Sequence, residues 1–234
     1  MVIFLKILKY AMPRIPRVVA LNYPHHVTIR GNNRENVFLY DDDCNYYLKL
    51  LKKYSTKYNC LVWAYCLMTN HVHMLLIPKG ESSLAKCLQG ISLCYTQYFN
   101  LKYKRTGRLW ESRYYSCIVD KENYLWEVVK YIERNPVRAN IVNSIEEYHW
   151  SSARSHLFGW PDEILIGDDW LAERDRVRYG QFLKDSKKDR EEIIRKSTRS
   201  GKPLGTANFI STIEKLLDRN LQSKRQGRPS VGKR

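Results

Sequence analysis

The spacing of apolar and polar positions changes several times along the chain, and each change predicts a new element. Residues 26–30 alternate as a β-strand and lead into turn-forming residues at 31–33. From Asp41 to about Lys57, apolar residues recur at near-helical spacing behind three aspartates, which suits a helix N-terminus. Two short apolar runs, 61–68 and 71–77, are separated by only two residues, and they predict an antiparallel hairpin.

The next part of the chain repeats this alternation of helix and strand. Apolar residues at helical intervals predict a helix over 83–103, with Gly107 beyond its end, followed by a strand over 113–119. Asp120 is a good N-cap for a helix over 121–134, which stops at Asn135-Pro136. The order of elements predicts an α+β fold, namely a ferredoxin-like antiparallel β-sheet with helices on one face.

The composition changes after Gly159, and four parts are expected. Residues 184–234 hold 15 Lys+Arg against 6 Asp+Glu, which supplies +9 of the net charge. One short amphipathic helix is predicted around 210–217, whereas 224–234 are too polar to pack. The predicted parts are an N-terminal extension (1–19), a main domain (20–160), a connecting segment with a linker near 185–204 (161–204), and a basic C-terminal tail (205–234).

Composition and charge narrow the class of protein. The 234 residues are 44% hydrophobic, enough for a core, and the net charge of +16 favours a polyanionic partner such as nucleic acid. The apolar run at 2–8 is too short to span a bilayer and lacks a cleavage site, so we expect no membrane partner. Six cysteines without a Cys-x-x-Cys pair predict neither a zinc knuckle nor a disulfide scaffold, and favour the cytoplasm.

Candidate chemistry begins with His71 and His73 on the second hairpin strand. Side chains two apart on a strand face the same way, so both imidazoles can reach one ion. A divalent ion that acts on phosphate needs a third protein ligand and open positions for substrate oxygens. On its own the pattern is a weak signal, and two ordinary core or surface histidines are its more common explanation.

The helix over 121–134 offers the missing groups. Tyr131 and Asn135 lie one turn apart, so an amide oxygen can reach the metal that orients the phosphate attacked by the phenol. A phenol, with a pKa of about 10, needs a stabilising cation to act as a nucleophile. Asn135 could instead cap a following helix, and spacing alone does not separate Tyr131 from the other candidates, Tyr95, Tyr98, Tyr114 and Tyr115.

Four motifs in fixed order carry a family resemblance. They are LMTNHVHMLL at 67–76, TGRLWESR at 106–113, YIERNPVRA at 131–139 and WSSA at 150–153. Over residues 20–160 the chain resembles the REP-associated tyrosine transposases, which are single-tyrosine HUH nucleases related to the transposases of the smallest insertion sequences. The resemblance implies that His71 and His73 bind the metal, Asn135 completes the metal site, and Tyr131 is the nucleophile.

The same resemblance implies a reaction and its partners. The reaction is transesterification on single-stranded, hairpin-forming DNA, which leaves a 5′-phosphotyrosine and a free 3′-hydroxyl. It requires Mg²⁺ or Mn²⁺ and no nucleotide cofactor, because the covalent intermediate stores the bond energy. Related insertion-sequence enzymes are dimers that exchange the tyrosine helix, whereas the REP-associated branch favours a monomer.

Basic and aromatic residues suggest where DNA is contacted. The predicted phosphate contacts are Arg30, Lys102, Lys104, Arg105, Arg108 and Arg113, interleaved with aromatic rings suited to base stacking. Alternatively, the rings form core and the charges a solvated face. At the C-terminus, KRQGRP at 224–229 resembles the AT-hook, with Arg228 reaching a minor groove and Gln226 where the hook has its first arginine. A basic tail that adds only nonspecific affinity explains this segment equally well.

Two rival functions share these features. A DNA hairpin-binding protein or transcriptional repressor that does not cut DNA would use the same basic and aromatic residues. Such a protein has no use for two histidines and an asparagine converging on a tyrosine, so the enzyme is favoured. A replication initiator or relaxase shares the chemistry, but 234 residues leave no room for its usual helicase domain.

Overall fold

The computed structural model describes residues 17–167, 170–184 and 188–221, and it is built on one antiparallel sheet. The four strands are β1 (His25–Arg30), β2 (Cys60–Met68), β3 (His71–Pro78) and β4 (Tyr115–Ile118). Their order across the sheet is β2-β3-β1-β4, and every neighbouring pair is antiparallel. The predicted α+β class and central hairpin are therefore confirmed. Most of the predicted N-terminal extension and the AT-hook-like segment with Arg228 lie outside the described residues.

Eight α-helices accompany the sheet in the described part of the chain. They are α1 (Asp41–Lys57), α2 (Ser83–Lys102), α3 (Lys121–Glu133), α4 (Asn135–Arg138), α5 (Ala153–Phe158), α6 (Arg176–Lys184), α7 (Lys188–Ser200) and α8 (Ala207–Leu216). The predicted bounds of α1, α2 and α3 agree with these to within a residue or so. Asp120 caps α3 as expected, since its Oδ1 accepts from the backbone N–H of Asn123 at 3.3 Å.

Helices cover both faces of the sheet, whereas the sequence pattern predicted helices on one face. The strands explain the difference, because residues pointing either way are apolar. Val62 and Leu67 of β2 pack in the core beneath α1 and α2, whereas Ala64 and Met68 pack in a second core beneath α3. A strand with two apolar faces needs cover on both.

The second face is completed by a part of the chain that was predicted as linker. Residues 188–200 form α7, which packs against β4 and β1. The helix is strongly charged, and it buries Ile194 and Thr198, one turn apart, so its apolar stripe is too narrow to stand out in the sequence. Beyond it, α8 confirms the predicted amphipathic helix, with Ile213 buried. Among the described residues, no helix is long and apolar enough to cross a membrane.

Candidate functional site

An open cleft of about 570 Å³ lies where β1 and β3 meet the end of α3, α4 and α7. Its walls contain all four residues that the sequence nominated for chemistry, His71, His73, Tyr131 and Asn135. Two of them lie on strand β3 and two lie at the end of helix α3, about 60 residues later in the sequence. The fold therefore brings the predicted site residues together in a single chain.

The two histidines face the cleft together with residues of β1. In the antiparallel register, Thr28 lies opposite His73 and Arg30 lies opposite His71. Because alternate residues of a strand share a face, His26 joins the same surface. The His26 and His73 rings are nearly parallel, with centroids 5.2 Å apart and the closest ring nitrogens 3.0 Å apart. Sequence analysis missed His26 and Thr28, since only the cross-strand register shows that they border the His-x-His pair.

The hairpin turn orients the His71 ring. His71 Nδ1 lies 2.6 Å from Asn70 Oδ1, and Asn70 Nδ2 donates to the carbonyl oxygen of Arg34 at 2.9 Å. The second bond identifies which end of the Asn70 amide is oxygen, so Nδ1 of His71 is the donor in the first. A neutral His71 ring that is protonated on Nδ1 carries its lone pair on Nε2.

The His73 ring is held by two hydrogen-bonding neighbours. Its Nδ1 lies 3.0 Å from His26 Nε2 and 3.2 Å from Thr28 Oγ1. His26 Nδ1 in turn lies 2.7 Å from Thr198 Oγ1 on α7. In this corner of the cleft His26, Thr28, His73 and Thr198 are all buried, with His73 4% and Thr198 4% exposed. The ring is therefore fixed from the strand and from the C-terminal helix.

Burial keeps these histidines uncharged near neutral pH. Desolvation, with Arg30 and Arg138 nearby, lowers the pKa of His71 to about 4. Desolvation and the charge of Arg138 lower the pKa of His26 to about 3. Burial also lowers the pKa of His73 well below its usual range, and His71 and His26 contribute in the same direction. Neutral imidazole is the form that binds metal ions, so the site is already in that form at pH 7.

Helix α3 delivers Tyr131 to the cleft. Its buried stripe, which includes Leu125, Val128 and Ile132, packs on the sheet and turns Tyr131 toward the histidines. The Tyr131 ring lies edge-on to His73 at 5.4 Å and to His26 at 5.5 Å between centroids.

The structure also separates Tyr131 from three of the four other candidate tyrosines. Tyr95 is fully buried in the core on the opposite face, and the hydroxyl of Tyr98 donates to Asp43. Tyr114 packs against that same opposite core, beneath the guanidinium of Arg17. Of the five tyrosines considered, Tyr131 and Tyr115 line the cleft.

Asn135 ends α3 and presents its amide oxygen toward Arg138. Its Nδ2 donates to the carbonyl oxygens of Tyr131 at 2.7 Å and Ile132 at 3.2 Å, so it caps the end of α3, not the start of α4. Its Oδ1 accepts a hydrogen bond from Arg138 Nη2. The Arg138 guanidinium carbon also lies 4.6 Å from the centroid of the Tyr131 ring. Arg138, within a recognised motif but not singled out from the sequence, thus joins the tyrosine to the asparagine.

The donor set of this corner fits a metal ion only with Asn135 included. Among the described residues, no group of three His, Cys, Asp or Glu side chains could hold a metal. His71 and His73 supply two neutral imidazoles, and the Asn135 oxygen keeps one lone pair beyond its bond to Arg138. Amide oxygens suit Mg²⁺ and Mn²⁺, so the residues present are compatible with either ion.

Basic residues surround the cleft. They are Arg30 and Arg34 beside β1, Arg138 on α4, and Arg195, Lys196 and Arg199 on α7. Of the predicted phosphate contacts, Arg30 is therefore in the cleft. Lys104, Arg108 and Arg113 are exposed outside it, Arg105 pairs with Glu35 at 2.7 Å, and Lys102 pairs with buried Asp43 at 2.7 Å. The three basic residues on α7 were missed because that helix was predicted as linker.

Comparisons with known proteins address the family and the fold. The family model described as IS200-like transposase matches residues 19–135. A solved REP-associated tyrosine transposase bound to a REP hairpin is similar over 67% of this chain and 93% of that chain, with 17% identity and a TM-score of 0.52. A putative transposase from Deinococcus radiodurans R1 is similar over 58% of this chain and 98% of that chain, with 17% identity and a TM-score of 0.37. No curated protein sequence matches the chain.

The similarity to the REP-associated transposase structure shows a shared fold, whereas the family model shows membership of a family. The matched region runs from just before β1 to Asn135 and covers half of the chain, including both histidines and Tyr131. The resemblance to tyrosine transposases that the four motifs predicted is confirmed. The chain belongs to the IS200-like transposase family.

Proposed function

We propose that this transposase is a metal-dependent endonuclease and strand-transferase for single-stranded DNA that folds into hairpins of the REP type. One observation carries the proposal. The Tyr131 ring lies in an open basic cleft, 5.4 Å from the ring of His73 and 4.6 Å from the guanidinium carbon of Arg138. A phenol beside a guanidinium and neutral imidazoles is an arrangement suited to phosphoryl transfer.

In the proposed reaction, the Tyr131 oxygen attacks the phosphorus of a phosphodiester. A bond forms between phosphorus and the tyrosine oxygen, and the bond between phosphorus and the 3′-oxygen breaks. The phenol loses its proton and the departing 3′-oxygen becomes a hydroxyl, so the products are a 5′-phosphotyrosine and a free 3′-end. Attack by another 3′-hydroxyl reverses the step and joins the strands, without a nucleotide cofactor.

The surrounding residues have separate roles in this scheme. Arg138 stabilises negative charge on the tyrosine oxygen because its guanidinium lies against the ring. Arg30 and Arg34 contact phosphates of the entering strand from the β1 side. His71, His73 and Asn135 would hold Mg²⁺ or Mn²⁺, which when bound polarises the attacked phosphate.

The proposal that the substrate is hairpin DNA rests on the positive charge of the protein and on its similarity to a solved transposase. Six cations border the cleft, and the whole chain carries a net charge of +16. The similar solved transposase is bound to a REP hairpin. A hairpin presents a single-stranded flank to the cleft while its duplex stem contacts basic surface outside it, where Arg108 and Arg113 are exposed.

The test is formation of a covalent adduct. Labelled single-stranded hairpin oligonucleotides from the genomic flanks are incubated with the protein and Mn²⁺, and products are separated on a denaturing gel. We expect a slow protein–DNA band that Tyr131→Phe abolishes while DNA binding remains. Tyr115→Phe is the matched control, since it removes a hydroxyl from the other candidate tyrosine in the same cleft. Chelator should also abolish the band.

Two results would contradict the proposal. A band that survives in Tyr131→Phe and disappears in Tyr115→Phe would move the nucleophile to Tyr115. Tight, salt-sensitive binding without any adduct, over several hairpins and metal ions, would identify a DNA-binding protein that does not cut.

A further inference from the structure

We propose that Thr198 and His26 form a hydrogen-bond relay from α7 that holds the neutral His73 ring in the form protonated on Nδ1. The lone pair of its Nε2 is then available to the cleft. Thr198 and His26 are then positioning residues for the histidine pair. This inference deepens the proposed function, because it concerns the metal-binding form of His73. It also gives α7, which lies outside the region matched by the family model, a part in the site.

The direction of the relay, meaning which group donates and which accepts in each hydrogen bond, is set at its far end by Thr198 on α7. Thr198 Oγ1 lies 2.9 Å from the carbonyl oxygen of Ile194, one turn earlier on the helix. Two oxygens this close require a hydrogen between them, and a carbonyl can only accept. The single hydroxyl proton of Thr198 therefore points to Ile194, and its oxygen is left to accept from other groups.

The remaining neighbours of Thr198 agree with this direction. Cys117 Sγ lies 3.3 Å from Thr198 Oγ1, and the thiol is buried. A hydroxyl oxygen has two lone pairs, so it can accept from Cys117 and from His26 Nδ1 at 2.7 Å at the same time. If the hydroxyl donated to His26 instead, the Ile194 carbonyl would face a lone pair at 2.9 Å.

The donor and acceptor roles at Thr198 then determine which nitrogen is protonated in each of the two histidine rings. A neutral His26 that donates from Nδ1 can only accept at Nε2. His26 Nε2 lies 3.0 Å from His73 Nδ1, and without a proton between them two lone pairs would face each other. His73 is therefore protonated on Nδ1, and Thr28 Oγ1, at 3.2 Å from that nitrogen, is a second acceptor. His71 reaches the same state by its bond to Asn70 Oδ1. The two histidines of the motif therefore present the same nitrogen, one oriented by the hairpin turn and the other by α7.

The first experiment reads the protonated nitrogen directly in metal-free protein. Long-range proton–nitrogen correlation spectra of histidine rings distinguish Nδ1–H from Nε2–H. His25 serves as an internal reference outside the cleft, because its Nδ1 bonds to the carbonyl oxygen of Tyr23 and its Nε2 accepts from Ala20 N–H. We expect the Nδ1–H form for His73 and His26. An Nε2–H form of His73 in the wild-type protein would overturn the proposal.

Variants of Thr198 test whether this residue determines the protonated nitrogen of His26 and His73. In Thr198→Val, His26 Nδ1 loses its acceptor, so we expect both His26 and His73 to change to Nε2–H. Mn²⁺ affinity should fall by about 10- to 100-fold, as for other partners of metal-binding histidines. Thr198→Ser keeps a hydroxyl and should restore both readouts. Thr96→Val is the matched control, because Thr96 makes the same bond to the carbonyl one turn earlier on α2, away from the site.

The readouts separate this inference from the proposed function. An unchanged His73 form in Thr198→Val, in a protein whose thermal unfolding is otherwise wild-type, would overturn the relay. An Nδ1–H form of His73 that changes as expected, in a protein that binds no Mn²⁺, would support the relay and contradict the metal-dependent reaction.

Discussion

Arg138 is the side chain on which the arrangement of Tyr131 and Asn135 most depends. Its guanidinium lies against the Tyr131 ring, donates to Asn135 Oδ1 and pairs with Glu191 of α7 at 3.2 Å. Burial opposes its charge, but Tyr131 and Glu191 raise the pKa of Arg138 above its usual value. A planar guanidinium can lie against the ring with its face while its in-plane N–H groups reach Asn135 and Glu191, a geometry that a compact ammonium group does not reproduce.

Replacement of Arg138 should therefore slow the chemical step more than it weakens DNA binding. We expect Arg138→Lys to lower the rate of adduct formation by about tenfold, and Arg138→Gln by about 100-fold or more, because the positive charge beside the Tyr131 ring is displaced or lost. Single-turnover rates on gels and fluorescence anisotropy measure the two effects separately.

A matched control for Arg138 is Arg178→Lys. The Arg178 guanidinium carbon lies 5.5 Å from the centroid of the Trp126 ring, outside the cleft, so its replacement should leave the adduct rate unchanged. Wild-type adduct rates in both Arg138 variants would show that the guanidinium has no part in the reaction.

At the scale of elements, α3 is anchored at its C-terminal end by a buried carboxylate. Glu133 is fully buried and accepts hydrogen bonds from Ser152 Oγ at 2.6 Å, from the hydroxyl of Tyr179 at 2.8 Å and from His156 Nδ1 at 2.6 Å. Ser152 belongs to the WSSA motif, and its Oγ also accepts from the backbone N–H of Tyr65 on β2. The motif thus ties the edge strand and α5 to the helix that carries Tyr131.

Glu133→Gln should destabilise the fold, because the amide nitrogen replaces an acceptor among three donors. We expect a loss of about 1–3 kcal/mol in the free energy of unfolding, the usual cost of an unsatisfied buried polar group. Urea denaturation followed by circular dichroism gives this value. Glu122→Gln, an exposed change in the first turn of the same helix, should stay within about 0.5 kcal/mol. Equal stability of the two variants would contradict an anchoring role.

The elements that the sequence predicted well are those whose signals are local. The hairpin of β2 and β3 and the helices α1, α2 and α3 follow from apolar spacing, turn residues and the Asp120 cap. Helix α7 could not be predicted in this way, because the sheet supplies the surface that buries Ile194.

The same distinction separates the parts of the site that were found from those that were missed. His71, His73, Tyr131 and Asn135 lie in short motifs, so they could be named from the sequence. His26 and Thr198 could not, because they reach His73 through strand register and through contacts across 172 residues.

At the scale of the whole molecule, a single chain supplies all four residues nominated for the metal site and the nucleophile. The rings of His73 and Tyr131 lie 5.4 Å apart within one copy, and the Glu133 anchor joins α3 to α5 and α6 of that same copy. The chain therefore has no need of a partner's tyrosine helix to complete its cleft. The expectation of a monomer over a dimer that exchanges α3 stays a prediction.

Mixing two inactive variants distinguishes these arrangements. Tyr131→Phe lacks the proposed nucleophile and His73→Ala lacks a histidine of the pair, so neither should form an adduct alone. If each chain uses its own tyrosine, their mixture stays inactive at every protein concentration, which is the result we expect. If chains exchange α3, mixed dimers contain one intact site of two, and random pairing restores about a quarter of wild-type activity. A mixture of wild-type protein with Tyr131→Phe is the control, because it shows how much activity is lost by dilution alone. Activity of the two-variant mixture above the background of the separate variants would require exchange of the tyrosine helix.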